Sequence, residues 1–185
     1  LIEMSSRGKA SLGRISELLD YSNNVCDSDD VVDVNGIKGD IEFKNLTFSY
    51  PGSSVNVLEN VSFKINAGES IGIIGKTGSG KTTIVDLILR MYNVEDNSLF
   101  IDDIDVNKLP IKTVRKSIAY VPQDNFLFSD TIEANIAFAY EDINEKEVID
   151  AAILAGVHEN IIEFEKGYQT ILGERGVTIS GGQKQ

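Results

Sequence analysis

Residues 75–83, Gly75-Lys76-Thr77-Gly78-Ser79-Gly80-Lys81-Thr82-Thr83, have the types and spacing to hold a chain of phosphates. Glycines let the main chain curl with its N–H groups turned inward, which makes an anion-sized nest. A helix beginning there adds unpaired N–H groups and a positive dipole end. Lys81 can reach the terminal phosphates of a nucleotide, and the Thr82 hydroxyl is placed to hold a Mg²⁺ that bridges them. The pattern G-x-x-x-x-G-K-[ST] carries this meaning only between a strand and a helix. Residues 70–74, Ser-Ile-Gly-Ile-Ile, read as a buried strand, and the apolar run over residues 84–91 reads as a core helix.

The rest of the chain must position that loop. Its 185 residues suffice for one domain with a real core, and 42% hydrophobic with 25% charged residues fits a soluble globular chain. A net charge of -12 argues against nucleic acid as a partner, although a local nest and one lysine can still hold a nucleotide. Acid is clustered at Asp27, Asp29, Asp30 and Asp33 and again at Glu141, Asp142, Glu145, Glu147 and Asp150. Lys108, Lys112, Arg115 and Lys116 form a basic island. All three read as solvated faces. Cys26 is the single cysteine, so no internal disulfide forms, which fits a reducing compartment. No apolar run approaches the length of a membrane span.

In chain order, Leu12, Ile15, Leu18 and Leu19 mark an amphipathic helix within residues 1–20. Residues 21–39 are polar and acidic and read as a linker free to move. The folded unit is expected from Asp40, with alternating strands over 41–48 and 61–65 suggesting an antiparallel sheet beside the nucleotide core. Residues 98–101 form a further strand, followed by Asp102 and Asp103. Two acids after an apolar strand resemble a Walker B carboxylate for Mg²⁺, but Asp102-Asp103-Ile104-Asp105 also reads as turn chemistry, and the turn is the favoured reading. A short helix is expected over 111–116 behind Pro110, and a buried strand over 118–121. Beyond Pro122 the pattern is helical. Asp130 or Ser129 caps a helix over 131–136, Asn144 caps a second with Glu147 in capping-box register, Gly156 ends it, and a third covers 158–164. His158, the single histidine, reads as a surface residue.

Ile179-Ser180-Gly181-Gly182-Gln183, taken with the loop at 75–82, resembles the signature of the ABC transporter nucleotide-binding domain, whose usual leucine is isoleucine here. The resemblance covers residues 41–185. It implies an α/β fold: a P-loop NTPase core with a mixed sheet, an antiparallel β subdomain and a helical subdomain, with the C-terminal part of the domain missing. The organisation it implies is a helix leading from a membrane domain over 1–20, an acidic linker over 21–39, the β subdomain and P-loop core over 40–123, and the helical subdomain over 124–185, ending in the signature.

The resemblance further implies ATP and Mg²⁺ as ligands. Tyr50 matches the aromatic residue that stacks on adenine, a contact of roughly 1–3 kcal/mol per base. Gly75, Thr77, Gly78, Ser79, Gly80, Lys81, Thr82 and Thr83 match the phosphate loop. Gln123 matches the glutamine that positions Mg²⁺ and the attacking water. Ser180, Gly181, Gly182 and Gln183 are implied to complete the site of a second nucleotide-binding domain in trans, giving a head-to-tail pair.

Residues 125–132, 173–176 and 14–20 resemble the exporter branch, which implies a transmembrane domain of the same transporter as partner, at the cytoplasmic face of a membrane. The family's Walker B carboxylate, catalytic glutamate and switch histidine follow the signature helix and are not matched in this sequence. The expectation is therefore that the parent is an ATP hydrolase of which this chain is an inactive piece. Two rival readings stand beside it. One is a small P-loop kinase or GTPase using Asp102 or Asp103 for Mg²⁺, and the other is a non-transport ABC ATPase.

Overall fold

Strands β1 (Ile41–Phe48) and β2 (Leu58–Ile65) pair antiparallel in a computed structural model that describes residues 9, 11–16, 19–20, 25–140, 144–173 and 179–185. β1 buries Phe43, Leu46 and Phe48 in one core, and a shift of register between Phe43 and Leu46 interrupts the alternation read in the sequence. Phe43 sits opposite Phe63 in the register, and their rings stack at 4.5 Å. β2 starts three residues earlier than its alternation suggested. β3 (Leu99–Ile101) adds to the other edge of β1, and β4 (Ile104–Asp105) adds to β3, for an order β2-β1-β3-β4.

The turn reading of Asp102-Asp103 holds. These are the two loop residues between paired Ile101 and Ile104, with φ of 51° and 63°. Positive φ at both positions is what a two-residue type I′ hairpin needs.

Helix α1 (Lys81–Ile88) follows the glycine loop and buries Ile84 and Leu87 in a core shared with Phe43, Leu46, Leu58, Leu99 and Ile101. Helix α2 (Ile111–Lys116) contributes Val114 to that core. Arg115 reaches from α2 to the end of α1, where Nε donates to Leu89 O at 3.1 Å and Nη2 to Arg90 O at 2.8 Å. Part of the basic island thus closes a helix C-terminus rather than facing water.

The chain divides into two units, Leu1–Ala119 and Tyr120–Gln185. The second holds α3 (Ile132–Ala137), α4 (Glu145–Leu154), α5 (His158–Ile162) and α6 (Gly181–Lys184). Ile132, Ala152, Ile161 and Leu172 form its core. The Asn144–Glu147 capping box starts α4, and Gly156, at φ 72°, ends it. The cap of α3 is Thr131, whose hydroxyl accepts from Ala134 N, and not Asp130 or Ser129. Asp130 instead accepts from Thr131 N. His158 is half-buried, with Nδ1 2.8 Å from the Tyr168 hydroxyl.

Three expectations are corrected. Residues 70–74 and 118–121 form no strand, and Ile71, Ile74, Tyr120 and Val121 are exposed. Neither segment has a ladder neighbour among the described residues, and a buried parallel strand needs one on each side. The sheet among the described residues is therefore antiparallel throughout, not mixed.

Residues 25–39 are also not a free linker. Asp27 pairs with Arg90 at 2.9 Å, and Val32 N donates to Lys108 O at 2.8 Å. The Asp102 carboxylate accepts from the amides of Lys38, Gly39 and Asp40 at 2.6–2.9 Å. The segment is polar, and its partners lie 62–76 residues away in sequence. At the N-terminus, the described residues 9, 11–16 and 19 are helical, with Leu12, Ile15 and Leu19 exposed. Leu18 lies outside the described residues.

Candidate nucleotide-binding site

The start of α1 is left open. Gly80 is its N-cap, in the left-handed region at φ 83°, and no side chain caps the first turn, which carries no acidic residue. Gly78 is also left-handed, at φ 81°, and Ser79 N closes a tight turn on Lys76 O at 3.2 Å. Residues 75–79 are exposed, as is Thr82. Lys81 folds over its own loop, with Nζ donating to Gly75 O and Lys76 O at 2.8 Å each. The ammonium is thus held beside the uncapped amides, and both favour an anion of phosphate size.

Gly80 has a second role that the sequence did not reveal. A Cβ there would lie 2.8 Å from Leu58 Cδ2 and 3.0 Å from Val57 O, so the loop packs against the entry to β2. A Cβ on Gly75 would lie 2.5 Å from Ser79 Oγ. Thr77 and Ser79 are exposed on the loop.

Tyr50 and Thr83 are brought together, with the phenol oxygen 2.8 Å from Thr83 Oγ1. Thr83 is buried, so this pairing satisfies its hydroxyl. The Tyr50 ring is held edge-on by Phe48 at 5.3 Å and by Tyr92 at 5.1 Å. Tyr92 escaped the sequence reading, because nothing local marks an aromatic just past a helix as a neighbour of one forty residues earlier. Further along α1, burial pushes the Asp86 carboxyl above its ordinary range.

Asp102 does not serve as a magnesium carboxylate. Its oxygens are committed to the three amides of residues 38–40. Partial burial pushes its pKa up, but those amides outweigh the burial and hold it below the ordinary value. The kinase or GTPase reading therefore loses this carboxylate.

Gln123 and residues 180–183 belong to the second unit. Gln123 is exposed in an irregular segment, and with Asp124, Asn125 and Phe126 it lines a cavity of about 600 Å³ that Gly181 and Gly182 also line. Ser180 is the N-cap of α6. Its hydroxyl accepts from Gln183 N, and Gln183 Oε1 accepts from Ser180 N at 2.9 Å, a reciprocal capping box. Residues 174–176, part of the exporter-like stretch 173–176, lie outside the described residues.

Comparison with known proteins decides the family. The ABC transporter family model matches residues 58–185. The chain belongs to the ABC transporter family. It is a nucleotide-binding domain of the exporter type. It is 43% identical over its whole length to the uncharacterized ABC transporter ATP-binding protein YfiB of Bacillus subtilis, covering 32% of that protein. It is 42% identical over 95% of its length to the putative multidrug export ATP-binding/permease protein YgaD of the same organism, covering 30% of it. Among solved structures, a bacterial Atm1-family ABC exporter with ATP bound superposes with a TM-score of 0.86 at 32% identity, over 97% of this chain and 31% of that one. The chain thus spans about a third of the length of these relatives.

Proposed function

We propose that this chain binds MgATP as the motor domain of a membrane exporter and does so in a head-to-tail pair with a second such domain. The observation that carries the reading is the uncapped, acid-free start of α1 behind Gly80, with the Lys81 ammonium beside it. In a protein of net charge -12, that is a local inversion of the prevailing field.

In this reading the amides of residues 78–83 and Lys81 hold the phosphates, and the Thr82 hydroxyl holds Mg²⁺. Bound Mg²⁺ would neutralise charge on the phosphates. Tyr50 presents its ring to the base, and the hydroxyl bond to Thr83 fixes that ring relative to the loop. Ser180, Gly181, Gly182 and Gln183 close over the partner domain's nucleotide, a role supported by the exposure of Ser180, Gly181 and Gly182 at the start of α6.

Residues 1–20 lead from a membrane domain, 21–39 connect, 40–123 form the β subdomain and nucleotide core, and 124–185 form the helical subdomain. Coupling to transport at the cytoplasmic face of a membrane is carried over from the relatives, whose names describe ATP-binding and permease functions in one protein. The activity, like the transported substrate, is a property of the longer protein.

The test is a competition titration of a fluorescent ATP analogue by ATP and by GTP, repeated with Tyr50→Ala. ATP should compete at least as well as GTP, and Tyr50→Ala should weaken binding by about tenfold, as the loss of one base–aromatic stack. Selective binding of GTP would contradict the reading.

A further inference from the structure

Helix α1 ends in an unusual way. Met91 N donates to Asp86 O at 2.9 Å and Arg90 N to Leu87 O at 3.0 Å, the two bonds of a Schellman closure with Arg90 at its left-handed position, φ 51°. Glycine is the usual occupant there, because a Cβ is disfavoured. An arginine in that place needs another reason, and its side chain supplies one. Arg90 is 2% exposed, the largest fully buried side chain of the described residues. Its Nη1 donates to Asp27 Oδ1 at 2.9 Å and to Leu109 O, and its Nη2 to Cys26 O at 3.4 Å. Its Nε is buried without a partner.

Asp27 is shared. The same Oδ1 accepts from Ile111 N at 2.9 Å, capping the start of α2. One carboxylate in the segment entering the domain therefore ties together the end of α1 and the start of α2. The opposite end of α1 carries Gly80, Lys81 and Thr82. Eight helical residues, about 12 Å, separate the candidate phosphate site from this clasp.

We propose that the Asp27–Arg90 clasp couples nucleotide at the start of α1 to the segment entering the domain, closing more tightly when nucleotide is bound. The inference rests on the nucleotide reading above. An anion at the N-terminus of α1 stabilises the helix whose end presents Arg90, and a stabilised helix end holds Asp27 and the Cys26 carbonyl in place. Coupling of this kind is reciprocal, so a broken clasp must weaken nucleotide binding by a matching factor. Asp27 and Arg90 are positioning residues, since neither touches the loop at 75–82.

Cys26 is exposed and reports on the clasp directly. The experiment measures its alkylation by iodoacetamide, read by peptide mass spectrometry, with and without MgATP, in wild type, Asp27→Asn, Asp27→Glu and Arg90→Lys. Nucleotide affinity and thermal melting are followed on the same samples. The ratio of rates within each variant is compared, because removing the Asp27 charge alters thiol reactivity by itself. MgATP should slow wild-type alkylation by about fivefold or more. In Asp27→Asn the ratio should fall to near one and ATP affinity should drop by a similar factor, while Asp27→Glu restores part of both.

An unchanged wild-type ratio while ATP binds normally would overturn the coupling and leave the nucleotide reading intact. So would an Asp27→Asn protein that stays folded and keeps the wild-type ratio. Absence of ATP binding in folded wild-type protein would overturn both.

Discussion

Helices α1 and α4 start in opposite ways. α4 begins with a reciprocal capping box at Asn144 and Glu147 and carries two acids in its first turn, Glu145 and Glu147. α1 begins at a bare glycine, with no capping side chain and no acid. Both starts present amides and a positive dipole end, and α4 neutralises its own. In the proposed reading, the start of α1 is left unneutralised because an anion from outside, the nucleotide phosphates, occupies it. The amides of residues 38–40 make the same point internally, since there the chain supplies its own anion from Asp102.

The comparison is broken most severely at Gly80. Gly80→Ala combines a left-handed φ with a Cβ 2.8 Å from Leu58 Cδ2. It should cost about 2–4 kcal/mol of stability, read as a drop in melting temperature along with loss of nucleotide binding. Asp102→Asn removes a charged acceptor from three amides and should cost about 1–2 kcal/mol at neutral pH.

The sign with pH follows from the lowered Asp102 pKa. Its contribution is fully present above the unfolded-state carboxylate value and is lost as pH falls through the lower folded value. Denaturant titrations of wild type and Asp102→Asn should therefore converge in acid. Asn144→Ala should cost about 1 kcal/mol and leave ATP affinity unchanged, because α4 has no external anion to lose. Ser180→Ala removes the cap of a four-residue helix and should cost about 0.5 kcal/mol, visible as faster amide exchange in residues 181–184. Its effect on ATP should appear only where two domains meet.

What the sequence made legible was local. The β1 strand, the Asp102-Asp103 turn, the Asn144 box and the Gly156 stop each depend on neighbours within a few residues. The glycine loop was legible for the same reason, including the lysine and threonine that follow it. What stayed hidden depends on distant partners. Residues 70–74 look like a strand because they are apolar, but a ladder needs neighbours that composition does not supply. Asp27 looked like one acid of a solvated run, and only the fold places it on Arg90. Gly80 against Leu58 and Tyr50 against Tyr92 are likewise contacts between segments, with no signal in either segment alone.

The central claim is that the open start of α1 holds nucleotide phosphates. Equilibrium titration of wild type and Lys81→Ala with a fluorescent ATP analogue in the presence of Mg²⁺ tests it most directly. Loss of one charged donor to phosphate should weaken binding by about 30-fold or more, with melting temperature little changed. Equal affinity in the two proteins would contradict the claim.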